Sequence, residues 1–217
     1  YASRGLGDVY KRQLAFEESA LRAQLEALEQ NTGFPVLDEA AGAEMQTRIR
    51  AAAAEGDSVG GVLETAVLGL PAGLGEPFFD SVESVLSHLL FSIPAVKGVE
   101  FGAGFGFASL KGSEANDPLT VKDGRVTALS NHSGGVNGGI TNGMPLIFRS
   151  CVRPTPSIYK QQQTVDLAKN EAATLQIQGR HDPCILHRAA IVQTAATAFG
   201  LLDLLTQNGG GQRQAGR

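Results

Sequence analysis

Apolar residues along the chain alternate between two periods, and the switches mark its elements. Leu14, Leu21, Leu25 and Leu28 recur at near-helical spacing among Ala, Glu and Gln, which predicts a helix over 14–30 stopped by Asn31 and Gly33. Met45 and Ile49, four apart in an Ala-rich stretch, predict a second helix over 39–55, broken by Gly56-Asp57-Ser58. Val, Leu and Thr enrichment then predicts a strand over 59–69, followed by a turn-rich connection over 71–77. A helix over 81–92 is expected to turn Val85, Leu86, Leu89 and Leu90 to the core and to end at Pro94. Short strands are predicted at 96–101 and 108–111 around a glycine-rich turn, at an edge over 124–129, and over the apolar 144–152. The fold closes on a mostly helical apolar stretch over 185–205. Strands that look antiparallel mixed with helices give an α+β class with layered sheets and helices.

Composition narrows the picture. Of 217 residues, 42% are hydrophobic, enough for a real core, while 18% charged and 27 glycines point to many tight turns. A formal net charge of −4 provides no global basic field for nucleic acid, so an anionic ligand needs a local cluster of arginines. Two cysteines, Cys151 and Cys184, make neither a disulfide framework nor a zinc site, and no His/Cys/Asp/Glu cluster has metal-ligand spacing. No apolar run reaches the length needed to span a bilayer, and no secretory signal is visible. Tyr1–Gln13 fits no periodic pattern and reads as adaptor- or vector-derived sequence. It is set aside from the fold, and 207–217, rich in Gly, Gln and Arg, reads as a disordered tail.

Two segments carry candidate chemistry. Gly179-Arg180-His181-Asp182-Pro183-Cys184 places a permanent cation, an imidazole and a carboxylate side by side, held at a bend by Pro183. A surface turn with a local ion pair would look the same. Asn131 to Gly143 has five glycines, three asparagines and one histidine in thirteen residues. Such a segment suits close backbone approach to a ligand, with Val136 and Ile140 as anchors. Arg153-Pro154-Thr155-Pro156-Ser157 sets two hydroxyls and a cation on a stiff backbone, suited to a phosphate or ribityl chain. Asp57 and Ser58 can cap a turn, Glu64 is expected at a solvent-facing edge, and His88 in the core or an interface. Gly102-Ala103-Gly104-Phe105-Gly106 lacks dinucleotide-loop spacing and reads as a turn or bulge.

These segments, with Gly56 to Gly61 and Ser92 to Glu100, stand in the order of the signature segments of chorismate synthase, which the chain resembles from about Glu39 to about Leu205. The resemblance covers the C-terminal half of the family pattern and makes 14–206 the C-terminal part of such a domain. The family's N-terminal half, with its two catalytic histidines and its Arg/Ser-rich segments, has no counterpart among His88, His132, His181 and His187 and their surroundings. The implied fold is a layered β-α-β sandwich of mainly antiparallel sheets and helices. The implied parent reaction converts 5-enolpyruvylshikimate 3-phosphate to chorismate and phosphate by 1,4-elimination, with reduced FMN as cofactor and NADPH a candidate reductant. The parent would be a cytoplasmic homotetramer with no nucleic-acid or membrane partner and no metal. By resemblance Asp182 is catalytic, and Pro94, Ala95, Gly138, Arg153, Pro154, Thr155, Pro156, Ser157 and Arg180 hold cofactor. His132 is structural or stands behind the ligand-contacting residues, and the role of His181 stays open, a backbone hydrogen bond that shapes the turn being one reading. Family members commonly carry Lys at the Arg153 position and some carry Asn-Ala at Pro94-Ala95. A non-catalytic FMN- or phosphate-binding module and an oligomerisation fragment are the alternatives, and this chain alone is expected to be inactive.

Overall fold

A computed structural model describes residues 2–5, 18–30, 33–122 and 124–214. Four antiparallel strands form the sheet at its centre, in the order β1 (Ala2–Gly5), β2 (Gly61–Val67), β8 (Leu146–Val152), β3 (Val96–Phe101). Ala2–Gly5, left out of the fold on sequence grounds, is thus an edge strand paired to Val62–Thr65. Three two-stranded hairpins hang from this frame: β4 (Leu119–Lys122) with β5 (Arg125–Ala128), β6 (Val136–Asn137) with β7 (Ile140–Thr141), and β9 (Gln162–Asp166) with β10 (Glu171–Leu175). The class is α+β, as the pattern implies.

Side-chain alternation divides the sheet into two faces. Leu63, Leu146, Phe148 and Val152 point to the larger core. There they meet Met45 of α2 (Glu39–Ala54), Val82, Leu86 and Leu90 of α3 (Val82–Ser92), and Leu186, Ala189, Leu201 and Leu204 of α5 (Leu186–Gln214). Ala66 and Ile147 point the other way and receive Leu21, Leu25 and Leu28 of α1 (Glu18–Gln30). Residues 14–17 of the first expected helix lie outside the described residues. Asp38 caps α2 by accepting from the Ala41 amide at 3.0 Å, and Ser81 caps α3 by accepting from the Ser84 amide at 3.0 Å. Gln193 of α5 crosses the larger core as a polar bolt, donating to Thr65 Oγ1 at 2.8 Å and meeting the Ser150 hydroxyl.

Several expectations are corrected. Glu64 is 1% exposed rather than solvent-facing, because β1 and β8 flank β2 on both edges and α1 packs on the sheet face that carries Ala66 and, by alternation, Glu64. Residues 104–109 form a 3-10 helix instead of a strand over 108–111, since Glu100 Oε2 accepts the Phe105 amide at 2.9 Å and winds the chain before a ladder can form. A short helix, α4 (Gly112–Ala115), follows. His88 is exposed on α3, and Leu89 is only half-buried, because the core-facing stripe of α3 is Val82, Leu86 and Leu90. Leu186–Gln207 is long and apolar enough to cross a membrane by length and composition, with mean hydropathy 1.5. Gln193, Thr194 and Thr197 interrupt the apolar run along this helix, so no continuous stretch of that length shows in the sequence, and its buried residues fill the core. The same helix continues to Gln214, beyond the point where the tail was placed. Propagation adds one hydrogen bond per residue and needs no apolar anchor once the helix is nucleated.

Candidate functional site

The central strand β8 separates two groups of motif residues. Arg153 follows its C-terminal end, while Asn131–Gly143 packs at its start, where Gly134 accepts the Ile147 amide at 3.0 Å and Asn131 Nδ2 donates to Pro145 O at 2.8 Å. Seven extended residues span roughly 20 Å.

At the Arg153 end, four segments converge. The Arg153 amide donates to Ala95 O at 2.9 Å, which ties the Pro94-Ala95 turn to the start of the proline segment. Ala95 has φ 75, a left-handed conformation unusual for a side-chain-bearing residue, and a β-bulge between Val96 and Gly98 follows directly. Such strained turns and bulges gather where a backbone group is aimed at a ligand. Ser58 Oγ donates to Thr155 O at 2.6 Å, the Tyr159 amide to Gly56 O at 2.9 Å, and the Val59 amide to Pro183 O at 2.8 Å. Lys160 Nζ donates to Asp57 Oδ2 at 2.8 Å, and this contact with the Ser58 amide holds the Asp57 carboxyl below the usual carboxylate range.

The charged triplet lies against this shelf. The Tyr159 ring meets the His181 ring edge-on, centroids 4.9 Å apart, and the Tyr159 hydroxyl donates to Gly179 O. Asp182 Oδ1 accepts the Cys184 amide at 3.1 Å, and Oδ2 lies 3.6 Å from Arg188. Arg153 and Arg180 are exposed, and among the described residues neither pairs with a carboxylate. Two buried side-chain atoms here have no hydrogen-bond partner: Thr155 Oγ1 and His181 Nε2. An orphaned buried polar atom costs about 1–3 kcal/mol, which a bound polar ligand would recover. Asp182 also borders a cleft of about 420 Å³ between α2 and the start of α5, walled by Phe34, Met45, Ile49 and Leu186 with Arg50 and His187 at its rim. Cys184 is buried and Cys151 exposed, and they are not bonded to one another.

Gly138 belongs to the other end. It turns the β6–β7 hairpin with Gly139, both at positive φ, and Gly139 O accepts the Val82 amide at the head of α3. Gly134, Gly135 and Gly139 press on protein atoms, whereas a side chain at Gly138 would meet nothing within 4 Å. Of these four glycines, Gly138 alone borders open space. Val136 is buried and Ile140 half-buried, so the first anchors the loop more firmly.

Asp117 holds this loop in place, a role the local sequence does not signal. Its Oδ1 accepts from Ser130 Oγ at 2.7 Å and the His132 amide at 2.7 Å and contacts His132 Nδ1 at 3.0 Å; its Oδ2 accepts the Ser133 amide at 2.9 Å. Burial alone would raise the Asp117 pKa, but the bonds from Ser130, Ser133 and His132 together lower it to about 2. A folded value below the unfolded 3.8 means the stabilisation is complete above about pH 4 and is lost as pH falls toward 2. Asp117→Asn is therefore expected to cost about 2 kcal/mol at pH 7 and to flatten the acid side of the stability profile. Urea unfolding at pH 7 and pH 3 checks this, and equal midpoints for the two proteins at pH 7 would contradict it.

Residues 6–206 match the family model described as chorismate synthase. Over 166 residues the chain is 52% identical to the chorismate synthase of Opitutus terrae, covering 76% of this chain and 45% of that one. Over 204 residues it is 46% identical to that of Methanosarcina mazei, covering 94% and 54%. A crystal structure of chorismate synthase superposes with a TM-score of 0.74 at 25% identity, over 95% of this chain and 57% of that chain. The chain thus spans about half the length of the curated relatives it matches.

Proposed function

The chain belongs to the chorismate synthase family, and from that premise we propose that it supplies the flavin-holding wall of an enzyme converting 5-enolpyruvylshikimate 3-phosphate to chorismate and phosphate. The observation that carries this reading is the convergence of Ala95, Arg153–Ser157 and Gly179–Asp182 around two orphaned buried polar atoms, Thr155 Oγ1 and His181 Nε2. That chemistry fits reduced FMN. Thr155, Ser157 and Arg153 would hold its phosphate or ribityl oxygens on the proline-stiffened segment, and Arg180 would neutralise charge at the ring or substrate. Pro154 and Pro156 stiffen the segment that follows Arg153, while Pro94 leads into the left-handed turn at Ala95.

When bound, reduced flavin would supply electron density as the C–O bond to phosphate breaks and the C–H bond opposite follows. The protein's own part is to orient both reactants, to neutralise the departing phosphate and to take up a proton. Asp182 is the group for the last of these, a carboxylate within one bend of Arg180 and bordering a mostly apolar cleft. Turnover requires groups beyond those in this chain, so the 217-residue polypeptide is proposed to bind flavin without turning over. Gly138 stands apart from this wall, at the far end of β8. NADPH as reductant, a homotetrameric parent and a cytoplasmic setting complete the proposal; the exposed Phe79 and Phe199 along the α3–α5 groove support burial against another surface.

Titration of FMN with this chain, followed by fluorescence quenching, tests the reading. Replacing Thr155 and Ser157 by Ala is expected to weaken binding by about 1–3 kcal/mol, the scale of hydrogen bonds to a charged group. Absence of quenching by the unaltered chain would remove the flavin from this wall.

A further inference from the structure

We propose that Gly56–Val59 is the positioning element of the site, with Ser58 at its centre: it holds the two orphaned polar atoms, Thr155 Oγ1 and His181 Nε2, in place for the ligand. This inference rests on the reading that Arg153–Ser157 holds flavin. Each of the four residues makes one long-range bond to a wall of the site. Gly56 accepts from the Tyr159 amide, Asp57 from Lys160, Ser58 donates to Thr155 O, and the Val59 amide donates to Pro183 O.

The consequence differs for the two orphans. Ser58 fixes Thr155 through its carbonyl, which leaves the Thr155 hydroxyl buried and unpartnered. The backbone sets where the Thr155 side chain starts, and the Ser58 bond to the Thr155 carbonyl holds that backbone. His181 is reached through Tyr159, whose amide bonds to Gly56 and whose ring packs against the imidazole. One tetrapeptide therefore sets the spacing between the proline segment and the charged triplet, which lie about 25 residues apart in sequence and whose flanks are joined by the bond from the Tyr159 hydroxyl to Gly179 O. Rigid placement of this kind matters because a ligand group displaced by about 1 Å loses most of a hydrogen bond's strength. The Asp57–Lys160 pair, with Glu55 3.6 Å from the same ammonium, closes the outer side of the shelf.

A double-mutant cycle on FMN affinity tests the assignment. Ser58→Ala is expected to weaken FMN about tenfold, near the worth of one hydrogen bond. Ser58→Thr, which keeps the hydroxyl, is expected to restore binding to within about twofold. Combined with Thr155→Val, Ser58→Ala is expected to add less than about twofold to the loss from Thr155→Val alone, because Ser58 acts through Thr155. Hydrogen exchange should quicken across 153–160 in Ser58→Ala and stay unchanged in the β9–β10 hairpin. If Ser58→Ala does not fold, Asp57→Asn provides the second arm, with about threefold weaker FMN expected from release of Lys160. Wild-type affinity in Ser58→Ala or Asp57→Asn, with Thr155→Val still impaired, would overturn the positioning role and leave the flavin reading standing. Full additivity in the cycle would equally overturn it. No FMN binding by the unaltered chain would bring down the flavin reading and this inference with it.

Discussion

Asp182→Asn, placed in a chorismate synthase of full family length that carries this sequence, is expected to lower turnover by about 10²-fold or more while sparing the fold and most of the FMN affinity. The local geometry says why the fold survives. Asp182 Oδ1 accepts the Cys184 amide at 3.1 Å, and an asparagine carbonyl can accept the same bond and keep the bend. The neighbouring Arg188 lies 3.6 Å away with 72% of its side chain exposed, so the lost ion pair is worth little. What asparagine lacks is the capacity to bind and release a proton. Phosphate release under anaerobic conditions with saturating reduced FMN measures the effect. Turnover unchanged by the substitution would take Asp182 out of proton transfer and leave it a turn-forming residue.

How much of this was legible in the sequence depends on whether the determining contacts are local. Met45 and Ile49 mark α2, Leu86 and Leu90 mark α3, and the apolar run before Arg153 marks β8, because each element's own period shows which face is buried. The β9–β10 hairpin escaped notice since its residues, Gln162 to Leu175, are mostly exposed and present no apolar face. Its turn is set by Asp166 Oδ1 accepting the Ala168 and Lys169 amides, and by Asn170 at φ 55. Glu64 departs from the expected edge because burial of a strand on both faces depends on the helices packed over the sheet, here α1 on the Ala66 side, and not on the strand's own composition.

The site divides in the same way. Arg153–Ser157 and Arg180–Asp182 stand out as residue types at close spacing, and motif order alone gathers them. That Ser58 touches Thr155 across 97 positions, or that Asp117 clamps His132 and Ser133, is a tertiary fact with no periodic trace. The glycines of 131–143 illustrate the limit most sharply. As a set they suggest a ligand-facing loop, yet Gly134 and Gly135 answer to backbone packing, Gly139 to the Ser81 side chain, and only Gly138 of the four faces open space.

That packing makes Gly102→Ala the substitution with the largest expected effect on stability. Gly102 directly follows β3 at φ 55, donates to Ile147 O at 2.9 Å, and sits where the chain crosses the glycine-rich segment backbone to backbone. A Cβ there would lie 1.9 Å from His132 O, 2.5 Å from Gly134 N and 2.7 Å from Ser133 C. All three are main-chain atoms, so no side-chain rotation relieves the overlap. The left-handed conformation adds about 1–2 kcal/mol for a residue with a side chain. Separating the segments would break the bonds from Ala103 to His132 and from Ile147 to Gly134, at about 1 kcal/mol each. A total of about 3–4 kcal/mol is a large part of the 5–15 kcal/mol that holds a typical domain together. Gly138→Ala, where nothing lies within 4 Å, carries only the conformational cost and is expected to lower stability by about 1–2 kcal/mol. Urea unfolding of both variants beside the unaltered chain decides the matter. If Gly102→Ala unfolds at the same urea concentration as Gly138→Ala, the crossing yields easily, and the backbone contact between β3 and the glycine-rich segment is not what fixes that end of the sheet.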